Sequence, residues 1–249
     1  MEINKKRKSR ILKSWDDISD FADLHKGKSC FIIGAGPSLA FLNLNDIHKH
    51  VVISVNASAL LMPWEKGSLN NRFWISNDAL CMKWSYFWSH VINANCTKLV
   101  GEEWFQHDDK IRGKNFRFFS PRKSCSMPLL LQDNGLCTIS SVPSAIDFAL
   151  LMGCSKIFLI GVDQKMHSGK SHFWQYWDQT KWPQRSDKHR NFQPEQKHQI
   201  VVFKKNQNTF NALKELAGRK NAIIKNCSSR SVLSMFEKIS LENALKEAE

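Results

Sequence analysis

The chain reads as an α/β protein of Rossmann-like type: a mainly parallel sheet with helices on both faces and an irregular lid inserted late. Three observations predict this. Short apolar runs alternate with helix-like stretches along most of the 249 residues, as strand–helix–strand units require. CFIIGAGPSL, at 30–39, is one such run, and it breaks into Gly34, Gly36 and Pro37 directly after Phe31-Ile32-Ile33. KIFLIGVD, at 156–163, ends in the same manner, in a glycine and an acid.

The elements follow in order. Residues 1–27 read as a basic N-terminal arm and a lead-in helix, ahead of a single domain over 28–249. The arm, MEINKKRKSR, has no apolar stretch behind it and so is not a secretory signal. No run approaches the roughly 18 apolar residues of a membrane span. Phe31–Ile33 is the first strand, and PSLAFLNLNDIHKH suits a helix with Pro37 in its first turn and leucines on one face. VVISV (51–55), NRFWISND (71–78, ending at Asp78) and CTKLVGEE (96–103) read as the next strands. SSVPSAIDFALLMGC carries a helix signature: serines at the cap, Pro143 in the first turn, apolar residues at 145, 146, 149 and 150, and Gly153 as the stop. The strand 156–163 follows at once. QNTFNALKELAG reads as a helix, Ala222–Asn226 as a strand, and a helical tail starts at about Val232. Residues 164–200 lack any clean period yet hold Trp174, Trp177 and Trp182, which is the composition of a lid over a site.

Charge and cysteine content narrow the partners. Thirty-six Lys and Arg face 23 Asp and Glu, for a net charge of +13, which favours polyanionic partners such as nucleic acid, an anionic surface or phosphorylated substrates. The basic residues are densest at Lys5–Arg10 and Lys181–Arg190. Seven cysteines, an odd number with no CxxC pair and several inside apolar runs, predict buried free thiols and a cytoplasmic protein.

In an open α/β sheet, ligands sit beyond the carboxyl ends of the strands. Gly34 and Gly36 lie at such an end. Without side chains they let the backbone of Gly34, Ala35, Gly36, Pro37 and Ser38 approach a phosphate or sugar, and the N-terminus of a following helix favours an anion. Asn56, the pair Asn77-Asp78, and Asp163 close three further strands and converge on the same edge if the sheet is parallel. Ser140 and Ser141 read as a helix cap, and a helix start is also an anion site.

IIGAGPSL, then SVNASAL, then SSVPSAIDFALLMGCSKIFLIGVD, and finally ALKELAGRKNAIIKNCSSRSVLSMF, resemble two related families over most of residues 28–240. One is the bacterial CMP-sialic-acid-dependent sialyltransferases, and the other is the 6-hydroxymethylpterin pyrophosphokinase-like family. The resemblance implies a nucleotide site lined by Ala35, Gly36, Ser38 and Asn56, contacts to the donor from Ser140 and Ser141, and closure of the site by Asp163. The sialyltransferases stabilise the leaving phosphate with tyrosines after the GxD strand, where this chain has Gln164, Lys165 and Met166. Lys165 and Lys170 are therefore the candidates for that charge. A lid histidine serves as base in that family. His167, His172, His189 and His198 are available here, and His198 lies closest to the expected place.

These readings predict a glycosyltransferase that moves a sugar from a nucleotide donor to a hydroxyl on a surface glycan or a hydroxylated DNA base, with no required cofactor. Its catalytic set would come from His198, His172, Lys165 and Asp163. Trp174, Trp177, Lys170 and Arg185 would form a basic aromatic lid or acceptor platform. A rival reading is an ATP-dependent pyrophosphokinase, in which Asp78 and Asp163, helped by Asn77, would hold Mg²⁺. A third is a non-catalytic nucleotide- or nucleic-acid-binding module. His167 and His172 have no acid or cysteine at matching spacing, so no metal site is expected. WSYFWSH (84–90) reads as core or an acceptor platform.

Overall fold

Alternate residues of each central strand bury on opposite faces of the sheet, as the pleat dictates. Cys30 and Ile32 of the first strand enter one core with Ile53, Phe73, Ile75, Ile157 and Leu159. Phe31 and Ile33 enter the other with Val52, Trp74, Phe158 and Ile160. Strands buried on both faces belong to a parallel sheet covered on both sides. The computed structural model, which describes residues 18–107, 111, 114–122, 135–177 and 196–249, has that architecture.

The strands are β1 (Ser29–Ile33), β2 (Val51–Val55), β3 (Arg72–Ser76), β4 (Thr97–Gly101), β5 (Phe116–Arg122), β6 (Gly135–Cys137), β7 (Lys156–Ile160), β8 (Ile223–Asn226) and the two-residue β9 (Glu237–Lys238). They form a nine-stranded sheet in the order β6-β5-β4-β3-β2-β1-β7-β8-β9. Every strand pairing in it is parallel. Among the described residues the helices of eight or more residues are α1 (Ser85–Asn93), α2 (Ser141–Leu151), α3 (Gln196–Arg219) and α4 (Leu241–Ala248). Residues of α2 and α3 pack on one core, and residues of α1 and α4 on the other. The strand order reverses between β1 and β7, so the crevice of this sheet opens at their carboxyl ends.

Several expectations change. The stretch after Pro37 is not one helix but two 3₁₀ turns, Pro37–Phe41 and Ile47–Lys49. Between them Asn43 Oδ1 accepts from the Asn45 N–H at 3.0 Å, a local turn that competes with helix propagation. The third strand stops at Ser76, two residues before Asp78. The tail from Val232 starts instead as a turn and β9; Ser240 Oγ then accepts from the Asn243 N–H at 3.1 Å and starts α4. The expected lid boundary also moves, because residues from Gln196 onward belong to α3.

Of the expected arm and lead-in helix, residues 1–17 lie outside the described residues, and the part described holds a three-residue 3₁₀ helix, Ser19–Phe21. It is part of the domain's core: Ile18 and Phe21 are buried, and the N–H groups of Asp23, His25 and Gly27 donate to Leu151, Met152 and Gly153. Cys30, Cys81, Cys96, Cys154 and Cys227 are buried free thiols, whereas Cys137 is disulfide-bonded, against the all-thiol expectation. Among the described residues no helix is long and apolar enough to cross a membrane.

Candidate functional site

The loops after β1 and β7 touch. The Gly34 N–H donates to Ile160 O and the Gly36 N–H to Gly161 O, both at 2.7 Å. A Cβ on Gly34 would stand 2.5 Å from Gly161 O, and one on Gly36 would stand 2.5 Å from Asp163 Oδ2 and 2.7 Å from Gly161 O. The glycines are thus required by a close approach, but the nearest neighbour is the chain itself. Asp163 locks the contact, accepting the Ser38 N–H at 2.8 Å and the Ser38 hydroxyl at 2.7 Å. It is 3% exposed, so its carboxylate positions the Gly34–Ser38 turn.

Beside this turn lies a cavity of about 210 Å³. Ala35, Gly36, Pro37, Asn56, Ser140, Ser141, Asp163, Lys165 and His172, all expected site residues, line it together. Gly161, beside Asp163, lines it too, and Gln164, Ser171, Phe203 and Asn206 complete much of its wall without having been expected. Asn206 comes from α3, where its amide donates to Gln164 Oε1 at 3.0 Å. One asparagine among the polar residues 204–209 of a helix carries no sequence signal for such a role.

The α2 end of the cavity is built by a serine–asparagine network. Ser141 Oγ accepts from the Asn77 N–H at 2.9 Å and donates to Asn56 Oδ1 at 3.3 Å. The Asn77 amide donates to Ser144 Oγ at 2.9 Å. Ser140 is the cap residue by backbone position but makes no side-chain cap bond, contrary to the sequence reading. Ser140, Ser141 and Val142, at the positive end of α2, line the cavity. Asn56 holds a left-handed backbone, φ 51°, a conformation asparagine tolerates better than most residues.

His172 enters from the segment after β7. Gln175 Oε1 accepts the N–H groups of Ser171 and His172 at 2.7 and 2.9 Å, which fixes it as the amide oxygen. The Ser171 hydroxyl donates to that same oxygen at 3.3 Å. Its oxygen also lies 2.8 Å from His172 Nδ1, which ties the ring to this turn. The ring stacks on Trp174 at 5.1 Å and 12°.

Other expected residues lie elsewhere. Gly34 packs against Gly161 and does not line the cavity. Ser38 lines a neighbouring cavity. Asn77 supports Ser141 and Ser144 from behind, and Asp78 is exposed and lines neither cavity. Lys170 sits over the Tyr176 ring at 4.0 Å instead of facing the site. Trp174 is buried at 6% exposure, and Trp177 is half-buried and packs in a T-shaped contact with Phe173. His198 falls in the first turn of α3, and its side chain lies outside the described residues. Arg185, Trp182, His189, the basic run Lys181–Arg190 and the arm Lys5–Arg10 also lie outside them. Among the described residues no three His, Cys, Asp or Glu side chains converge as a metal site.

No family model and no curated protein sequence matches the chain. Among solved structures, the MAf glycosyltransferase from Magnetospirillum magneticum AMB-1 matches over 90% of this chain, with a TM-score of 0.52 and 13% identity. This chain covers 37% of that protein's length. The sialyltransferase CstII from Campylobacter jejuni matches at a TM-score of 0.44 and 14% identity, over 86% of each chain. Cst-I from the same organism matches at 0.45 and 13%, over 86% of this chain and 81% of its own. At 13% identity, the likeness to the MAf glycosyltransferase is one of fold.

Proposed function

We propose that the protein is a nucleotide-sugar-dependent glycosyltransferase whose donor binds in the crevice between β1 and β7. The observation that carries this reading is the composition of one cavity. It brings the glycine turn, the start of α2, the cation Lys165 and the imidazole of His172 into one space. The donor's phosphate would lie against the Ala35–Gly36 backbone and the first turn of α2. The acceptor hydroxyl attacks the anomeric carbon, the bond from that carbon to the phosphate oxygen breaks, and the nucleotide leaves with the bonding pair. His172 Nε2 takes the hydroxyl proton, and Lys165 offsets the charge that grows on the departing phosphate. On this reading transfer needs no cofactor.

The pyrophosphokinase reading asks Asp78 and Asp163 to meet at a metal. Asp163 has both oxygens engaged by Ser38, and Asp78 does not line the cavity, so no observation favours it. The test is release of free nucleotide from CMP-, UDP- and GDP-linked sugars, with and without chelator. We expect one nucleotide series to be turned over in chelator and the His172→Gln variant to lose that turnover. Turnover of none, with ATP consumed only in Mg²⁺, would contradict the proposal.

A further inference from the structure

Behind Pro37 and Lys165 lies a second cavity of about 140 Å³, lined by Ser38, Asp163, Lys165, Met166, His167 and Arg230. It shares Pro37, Asp163 and Lys165 with the first, so the two are neighbours across one wall. Lys165 and Arg230 reach it from separate segments, after β7 and after β8. Among the described residues neither forms an ion pair with a carboxylate. The acid present, Asp163, has both oxygens bonded to Ser38. Arg230 Nη1 is hydrogen-bonded to His167 Nε2, which holds the guanidinium in place. Two cations against one committed carboxylate leave the cavity with a positive excess.

Cations held at a concave surface without acidic partners are placed for an anion that arrives from outside. A guanidinium and an ammonium that approach from different segments suit a tetrahedral oxyanion, which accepts from several directions, better than a planar carboxylate. The wall also offers ring contact. His167 stacks on Tyr176, and Tyr176 meets the edge of Phe41, which is 63% exposed and three residues along from Ser38.

We infer that this second cavity binds a phosphate group of the acceptor, and that Lys165 bridges it to the donor's phosphate. The inference rests on the transferase reading for the word acceptor, but the anion site itself stands on Lys165, His167 and Arg230. It makes the acceptor a phosphorylated molecule whose attacking hydroxyl lies a short distance from its phosphate.

The test is amide NMR of the full chain, first saturated with whichever nucleotide it binds, then titrated with inorganic phosphate and, separately, with dimethyl phosphate. Saturable shifts at Met166–Ser168 and Ser229–Ser231, with nucleotide still bound, are the expected result. Arg230→Ala should weaken phosphate at least tenfold and leave nucleotide affinity unchanged, and Arg230→Lys should recover part of the loss. A response to dimethyl phosphate as strong as that to phosphate identifies a phosphodiester as the source, and a response to phosphate alone a terminal phosphate. Displacement of the nucleotide by phosphate, or equal binding by acetate, would overturn the inference, as would an unchanged phosphate affinity in Arg230→Ala. If no nucleotide binds, the donor reading fails. Phosphate shifts confined to the Arg230 side in the free protein would still show the second site.

Discussion

Asp163 and Ser38 stand 125 residues apart in sequence and are joined twice, through the Ser38 N–H at 2.8 Å and its hydroxyl at 2.7 Å. This double bond clamps the turn after β1 to the turn after β7, and the cavity forms alongside it. Hydrogen bonds to a charged group contribute about 1.5–3 kcal/mol each. Asp163→Asn and Ser38→Ala should therefore each destabilise the fold by roughly 1–3 kcal/mol. In a double-mutant cycle by denaturant unfolding they should couple by about 0.5–3 kcal/mol. Additive losses would separate the two residues.

Gly36 tests the close approach directly. Alanine there would place its Cβ 2.7 Å from a backbone carbonyl, Gly161 O, which has little room to yield. Gly36→Ala should cost about 1–3 kcal/mol of stability through overpacking and lower nucleotide affinity with it. An alanine variant of wild-type stability would show that the turn can open.

Asn56 separates backbone from side chain. Its left-handed φ of 51° disfavours alanine by about 1–2 kcal/mol and glycine hardly at all. Both Asn56→Ala and Asn56→Gly lose the acceptor for Ser141 Oγ. We expect both to weaken nucleotide binding and only the alanine to lower the melting temperature markedly.

His172 and Ser171 form a base and its positioner. His172→Gln should lower kcat by about 10²–10⁴-fold while donor affinity, read by calorimetry, stays near wild type. Ser171→Ala removes the hydroxyl bonded to Nδ1, so kcat should fall less and the acid limb of the pH–rate profile should move. An unmoved profile with an equal fall in kcat would make Ser171 merely structural.

His25 gives a stability prediction remote from the site. It is buried, its Nε2–H donates to Asn70 O at 2.8 Å, and Nδ1 has no partner. Burial lowers its pKa below the ordinary 6.5, against the opposing effect of the Asn70 carbonyl. Above pH 6.5 both states are neutral there. As pH falls below 6.5 the unfolded chain takes up a proton that the folded chain resists, so stability is lost on acidification, by up to about 1.4 kcal/mol per pH unit. His25→Gln keeps a donor for Asn70 and should flatten that limb of the melting-temperature profile between pH 6.5 and 5.

Much of the central sheet was legible because its strands are buried on both faces and read as unbroken apolar runs: Phe31–Ile33, Val51–Val55, Ile157–Ile160. β5 was not legible, since Arg117, Pro121 and Arg122 interrupt FRFFSPR. Gly36, Asn56 and Asp163, from three strand ends, line one cavity with Ser141 of α2, whereas Asn77 and Asp78, from a fourth, do not. Their individual roles were hidden, because a hydrogen bond between Asp163 and Ser38, or between Asn77 and Ser144, depends on register across distant strands. Asn206 and Gln164 stayed invisible for the same reason.

The most direct measurement is the melting temperature of the full chain against CMP, UDP, GDP, ADP and ATP, each with and without Mg²⁺. A ligand bound only to the native state stabilises by RT ln(1 + [L]/Kd), about 2.7 kcal/mol at a hundredfold excess over Kd. The account predicts a rise with CMP or UDP in the absence of Mg²⁺, reduced in Asn56→Gly. A rise with ATP and Mg²⁺ alone, or with no nucleotide at all, would contradict it.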